Sequence, residues 1–425
     1  VIDVRELAAR LQLHAVATRI AEHEEAWEMA QGLFEPAPGF LTPPLGPSPE
    51  SREAWARALR RVRAYGPRVV STLVNAAVGD VNWGGQSKRL DEAIGEQGLI
   101  RLVRNLARDY YVAGVAAGYA YQPETGPPRI GRLTGYIEPY THPMDADVVT
   151  GLYQAKTVTT RRGIRYWVRV WDIEDGQVRE WRELQTPTDL GYPPDRVLEG
   201  LTPRFAFYDL TPEGLPWSPF FWAVPMLRDL MASELFLARV EEYAAYPVPR
   251  FGPETEVQQI APGLPVQGEF EWSAPGSLAE LREQRAVKLE RLRDAMALPG
   301  GFLGNDSPSG EALKEANRRF YQEAKSTARV LSELLTDLVA DLAALVGAEP
   351  VEVVVLPNRD YIRDQVIQGV LVLYEKGVIP LAVAAREVQP YLPTWSDEEL
   401  NRWLEANKDV VTPDVLARVL GGGNA

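Results

Sequence analysis

The sequence predicts an α+β fold that is predominantly helical, and three observations give it. Apolar residues recur at helical spacing through most of the 425-residue chain. One block, 131–208, switches to alternation with period two. From residue 217, two helices flank a Pro/Gly-rich insert, and a glycine-rich break then precedes a third, much longer helix.

Val4, Leu7, Leu11, Val16, Ile20 and Trp27 fall on one stripe, so 1–34 reads as a single helix. Residues 35–49 hold six prolines and cannot continue it, which makes them a linker or wrapping arm. Ser48 and Pro49 then supply an N-cap and a first-turn proline for a helix reaching about Arg63. Shorter helical segments follow at 69–77 and 99–112. The second places Leu99, Leu102, Val103, Leu106 and Tyr110 on one face.

Within the period-two block, Ile164, Tyr166, Val168 and Val170 alternate with Arg165, Trp167, Arg169 and Trp171, a strand with one buried face. Asp175-Gly176 signals a two-residue hairpin into 177–184, and Arg161-Arg-Gly163 turns 156–160 back onto the preceding strand. An antiparallel sheet inside a helical chain results.

The next stretch is the most informative. A helix over 220–243 carries Leu227, Leu230, Met231, Leu237 and Val240. Its return helix, 277–297, carries Leu278, Leu281, Leu289, Leu292 and Met296, with Ser277 and Glu280 as a capping box. At about 1.5 Å per residue each is roughly 30–36 Å long. The insert between them is β-type. The break 298–310 has four glycines, two prolines and one charge, Asp306, and exceeds the usual helix–helix connector. The long helix 311–346 ends at Gly347, a C-cap glycine, and is followed by a short strand at 351–356. Small helices occupy 360–407.

Composition narrows the chemistry. With no cysteine and only His14, His23 and His142, thiolate metal sites, cysteine nucleophiles and most histidine-based centres are excluded. Gly79-Asp-Val-Asn-Trp-Gly84 has a P-loop's first spacing, but Gly85-Gln86 stands where Lys-Ser/Thr is needed. His142, Asp145 and Asp147 read better as a solvated turn than as a metal site. Neither a metal nor a cofactor is expected. Carboxylates with exposed Trp167, Trp171 and Trp181 keep a carbohydrate-active hydrolase as an alternative, and a non-channel adaptor is another. The net charge of −14 argues against simple DNA binding. Val1-Ile-Asp-Val-Arg5 has neither the basic nor the apolar region of a signal peptide, and no apolar run reaches membrane-spanning length; 112–121 comes nearest. Seven Lys against 38 Arg, with 34 prolines, suggest a thermophilic host.

The helix–β insert–helix–loop–long helix order resembles the portal proteins of tailed double-stranded-DNA bacteriophages, those of Thermus phages above all. Gly214-Leu-Pro-Trp-Ser-Pro219 ahead of the first helix and Ser309-Gly-Glu-Ala-Leu313 at the start of the long one extend the likeness. The resemblance implies a wing (1–216), a first stem helix (217–246), a clip (247–276), a second stem helix (277–297), a tunnel loop (298–310), a long wing helix (311–347), and a crown with tail (348–425). It implies no catalytic activity. Instead, twelve copies form a ring at one capsid vertex of the virion, assembled in the host cytoplasm, through which duplex DNA is packaged and later leaves. Implied partners are the large terminase motor, a major capsid or scaffolding protein, and a head-completion or connector protein. On this reading the tunnel loop handles DNA through Gly300, Gly301, Phe302, Leu303, Gly304, Asn305 and Asp306, with Phe302 and Leu303 exposed at a flexible tip. The clip would dock the terminase through Arg250, Glu254, Glu256, Glu269 and Glu271. The apolar stripes of the two stem helices are expected to need neighbouring subunits to cover them.

Overall fold

The computed structural model describes residues 2–33, 49–83, 87–142, 145–161, 163–245, 248–251, 270–273, 278–300, 302, 310–375, 380 and 383–384. Helices α1 (Val4–Leu13) and α2 (Val16–Gln31) open the chain. Asp3 caps α1, its carboxylate accepting from the Arg5 amide at 2.8 Å. The single helix expected over 1–34 is broken at Ala15, whose φ is 49°, a backbone state that costs an alanine about 1 kcal/mol. The break has a physical reason: α1 must cover a sheet while α2 crosses into the helical core. His14, at the break, sits 2.8 Å from a Glu138 carboxylate oxygen and fixes the bend.

Helices α3 (Pro49–Arg63) and α4 (Tyr65–Ala77) follow, then strand β1 (Asp80–Trp83), α5 (Lys88–Gln97) and α6 (Leu99–Ala113). The strand block comprises β2 (Val115–Tyr121), β3 (Arg129–Arg132), β4 (Tyr136–His142), β5 (Asp145–Thr160), β6 (Gly163–Asp172), β7 (Gln177–Leu184), β8 (Arg196–Glu199) and β9 (Arg204–Phe207). Two short bridges, β10 (Asp209–Leu210) and β11 (Pro216–Trp217), lead into α7 (Pro219–Ala245). After it come β12 (Val248–Phe251), β13 (Phe270–Ser273), α8 (Leu278–Ala295), α9 (Gly310–Val346), β14 (Val353–Leu356) and α10 (Arg359–Glu375).

The strands form two stacked antiparallel sheets, ordered β4-β5-β6-β7-β8 and β3-β2-β9. Between them lie Val115, Ala117, Leu133, Ile137, Leu152, Trp171 and Val178. The outer face of the larger sheet is covered by Leu7 and Leu11 of α1, packed on Tyr153, Val168, Val170 and Trp181. The sheet therefore buries both faces over its central part, not one as its alternation suggested. The other face of β2 sends Ala116 and Ala120 into the helical core with Leu335 and Leu338 of α9. A strand buried on both sides needs no polar alternation, which explains the apolar run near 112–121. The Asp175-Gly176 turn is a four-residue loop, since Asp172 pairs with Gln177.

Strands β1 and β14 pair with each other, 270 positions apart at Trp83 opposite Val353. The P-loop-like segment is thus a strand over Asp80–Trp83, and Gly84, Gly85 and Gln86 lie outside the described residues. Two glycines are demanded by close approach. Gly114 has φ 74°, and a Cβ there would lie 2.5 Å from the Trp217 carbonyl oxygen. A Cβ on Gly66 would meet the Met29 carbonyl oxygen at 2.0 Å, so α2 and α4 cross nearly backbone to backbone.

Candidate functional site

Helix α7 is set in place at its first residue. Ser218 Oγ accepts from the Phe221 amide at 3.1 Å and donates to the Val112 carbonyl at 3.0 Å, and Pro219 fills the first turn. This ties the start of α7 to the end of α6. The stripe Leu227, Leu230, Met231 and Leu237 is buried within the subunit. Its cover comes from the chain itself, since Leu227, Leu230 and Met231 join one core with Trp55 and Val62 of α3, Leu106 of α6, and Leu289 and Leu292 of α8. The expectation that these stripes wait for neighbouring subunits is therefore corrected for Leu227, Leu230, Met231, Leu237, Leu289, Leu292 and Met296, while Val240 and Leu281 are partly exposed. What α7 and α8 leave exposed is a different set: Trp222 (60%), Phe236 (48%) and Val287 (42%).

A buried polar triad locks the hairpin. The Tyr65 hydroxyl donates to Glu234 at 2.6 Å, and the Arg285 guanidinium pairs with the same carboxylate. Burial, reinforced by Glu234, pushes the Tyr65 hydroxyl up to about 12. Burial works against the charge on Arg285, but its bonds to Tyr65 and Glu234 outweigh that and hold it above its ordinary value. One contact set thus joins α4, α7 and α8. A charged pair this deep costs desolvation, and its best-supported role is to specify one helix register. Sequence periodicity could not flag it, because Glu234 and Arg285 each read as ordinary helix-surface charges.

At the far end of the hairpin, β12 and β13 pair antiparallel, with Arg250 directly opposite Glu271. These are two of the five predicted clip residues, and the fold brings them together. Glu254, Glu256 and Glu269 lie outside the described residues.

The predicted tunnel-loop residues divide. Gly300 is buried, its amide donating to Asn317 Oδ1 at 3.0 Å, and a Cβ on it would lie 2.1 Å from Leu313 Cδ1. Its smallness serves packing against α9 and not backbone freedom. Phe302 is 7% exposed and belongs to the helical core. Arg68 of α4 stacks over its ring at 5.0 Å and donates to its carbonyl at 3.2 Å. The expectation that Phe302 is exposed at a loop tip is corrected: a socket between α4, α8 and α9 takes it in. Gly301, Leu303, Gly304, Asn305 and Asp306 lie outside the described residues.

No protein-family model matches the chain, and no curated protein does. Among solved structures, it is similar to a chain in the neck of a native gene transfer agent particle computed with C12 symmetry. That match has 18% identity and a TM-score of 0.38, over 72% of this chain and 84% of the other. It is also similar to a chain in the virion of a native gene transfer agent particle, at 17% identity and a TM-score of 0.40, over 95% of this chain and 99% of that one. Scores this low leave the functional reading to rest on the chain's own geometry.

Other polar sites have structural partners. Beside the start of α7, a cleft of about 290 Å³ is walled by His23, Tyr136, Trp217 and Phe221, with Arg19 and Glu22 at its edge. His23 accepts from the Trp27 indole at 3.1 Å, and burial drives its value down to about 3, so the ring is neutral. Glu323 is raised by burial although Tyr208 and Thr327 bond to it. Among the described residues no three His, Asp or Glu side chains converge as a metal group, and no helix is long and apolar enough to cross a membrane. Trp171 and Trp181 are 1% and 2% exposed, and Trp167 is half-buried, so the aromatic surface a sugar-binding cleft needs is missing from these three.

Proposed function

We propose that this chain is the portal subunit of a tailed double-stranded-DNA phage or phage-like particle. Copies would form a closed ring at one capsid vertex and guide duplex DNA through its axis. The observation that carries the reading is the α7–β12/β13–α8–α9 series. An antiparallel helical hairpin is tipped by a two-stranded ribbon, then a connector over 296–309 leads into a 37-residue helix. A ribbon of two four-residue strands is marginal alone, and a ring of neighbours supplies what it lacks. Trp222, Phe236 and Val287, exposed on the hairpin, are the apolar side chains such neighbours would cover.

In this reading the hairpins are the tunnel wall, the β12–β13 ribbon is the docking rim for the ATP-driven motor, and the part of the connector after Phe302 faces the DNA. The connector would act through Leu303 to Asp306, because Phe302 is committed to the core. The chain performs no catalysis and needs no cofactor. The two hairpin helices carry eight acidic and seven basic residues, so their near-neutral balance offers no net positive charge to hold phosphate at a fixed register. Light scattering with native mass measurement tests the assembly: a single species of about a dozen chains is expected by the resemblance, and a monomer at every concentration would overturn it.

A further inference from the structure

We propose that the distal β5–β6 ribbon is a docking arm that seats on the acidic surface of a second copy of this chain. The inference rests on the ring reading above and names one of the contacts that would hold the ring together.

The ribbon is an overhang. Pairing of β4 with β5 stops at Ala155, and pairing of β6 with β7 stops at Tyr166. Beyond those points β5 and β6 pair only with each other, out to Thr160 opposite Gly163. The overhang reaches roughly 10 Å past the sheet at about 3.3 Å per residue. Its root is anchored by Glu24 of α2, which accepts from the Thr157 amide at 2.9 Å.

Its charge departs from that of the rest of the molecule. The chain carries −14, yet 148–171 contains no acidic residue and five basic ones: Lys156, Arg161, Arg162, Arg165 and Arg169. On one face Lys156 stands opposite Trp167 and Val158 opposite Arg165. Trp167 is held between two cations, with Lys156 Nζ 4.6 Å and Arg169 Cζ 4.3 Å from its ring centre. Among the described residues, the carboxylate bonded to this face is Glu180, which Arg169 and Arg182 share at 2.7 and 2.6 Å. Nearer the tip, Lys156 rests on the Trp167 ring and Arg165 donates to the Ile164 carbonyl, so the charge of both is available to a partner's carboxylates.

Apolar exposure decides what kind of partner. Ile164 is 61% exposed and Val158 39%, both on the overhang. Branched apolar side chains gain burial against a protein face, whereas a phosphate backbone offers them none. A basic arm with apolar side chains near its tip fits an acidic protein surface, and a second copy of this chain, with a net charge of −14, is the partner whose overall charge complements it. An arm reaching from one subunit to a different surface on the next is a heterologous contact, the kind that closes into rings.

The test compares the wild-type protein with Lys156→Glu/Arg165→Glu by native mass measurement and light scattering at low and high salt. Circular dichroism checks that the variant is folded. Wild type should assemble and loosen with salt, and the variant should need at least about tenfold higher protein concentration to assemble. If the reversal does not fold, Lys156→Gln/Arg165→Gln should weaken assembly in the same direction at low salt. Normal assembly by a folded variant overturns the arm while leaving the ring reading intact. Normal assembly with loss of binding to a duplex DNA fragment assigns the arm to DNA instead. A monomeric wild type removes both the arm and the ring.

Discussion

Arg68 lies over the ring of Phe302, 5.0 Å from its centre, and donates to the Phe302 carbonyl at 3.2 Å. The pair fixes the root of the α8–α9 connector inside the subunit. On the proposed portal reading, residues of this segment that meet DNA come after Phe302.

Phe302→Ala should act through stability. Emptying a buried phenylalanine site costs about 3–5 kcal/mol, so thermal unfolding should move down clearly. On the proposed portal reading, Leu303→Ala should impair DNA packaging in a packaging assay. Equal melting temperatures for wild type and Phe302→Ala would contradict the burial.

Gly300→Ala should also destabilise, because its Cβ would strike Leu313, itself fully buried. Overpacking of this kind costs about 1–3 kcal/mol. The variant Gly300→Ala/Leu313→Ala should recover part of the loss measured by thermal melting. No recovery would show that Gly300 is needed for something other than space.

The Tyr65–Glu234–Arg285 triad predicts a non-additive pair. Arg285→Met leaves the Glu234 carboxylate buried beside Tyr65, and removing one partner of such a pair costs about 3–5 kcal/mol at full burial. Arg285 keeps 20% side-chain exposure, so a smaller loss is expected. Glu234→Leu/Arg285→Met should be more stable than Arg285→Met alone. Simple additivity in chemical denaturation would remove the triad as a coupled unit.

Asp109 sets a pH dependence. Burial pushes its carboxyl up to about 7, and Arg132, with Nε at 3.3 Å, and Arg108 oppose this only in part. The folded value lies above the unfolded one, so between about pH 4 and 7 the folded state holds the proton that the unfolded state has lost. Stability contributed by this group then falls as pH rises through that window and is flat above it. The slope is at most about 1.4 kcal/mol per pH unit. Asp109→Asn should remove the slope. An unchanged slope in urea titrations would reassign it to another group.

Much of the helical order was readable because Pro and Gly punctuate it: Pro219 opens α7 and Gly347 follows α9. Features set by distant contacts were not. Strand β1 is four residues long and finds β14 only after 270 positions, so no local window announces it. The break at Ala15 follows from the sheet beneath α1, not from a helix breaker in the sequence. Phe302 sits among glycines and reads as exposed, because nothing local shows the socket beside Arg68. The Arg250–Glu271 pairing was reachable in outline, since both strands flank the insert, but their register is not.

Electron cryo-microscopy of the purified, assembled protein tests the central claim most directly. The account predicts a closed ring with an open axial passage wide enough for duplex DNA, α7 and α8 lining it, and the β12–β13 ribbon at one end. A monomer, or a closed oligomer with no axial passage, would contradict it.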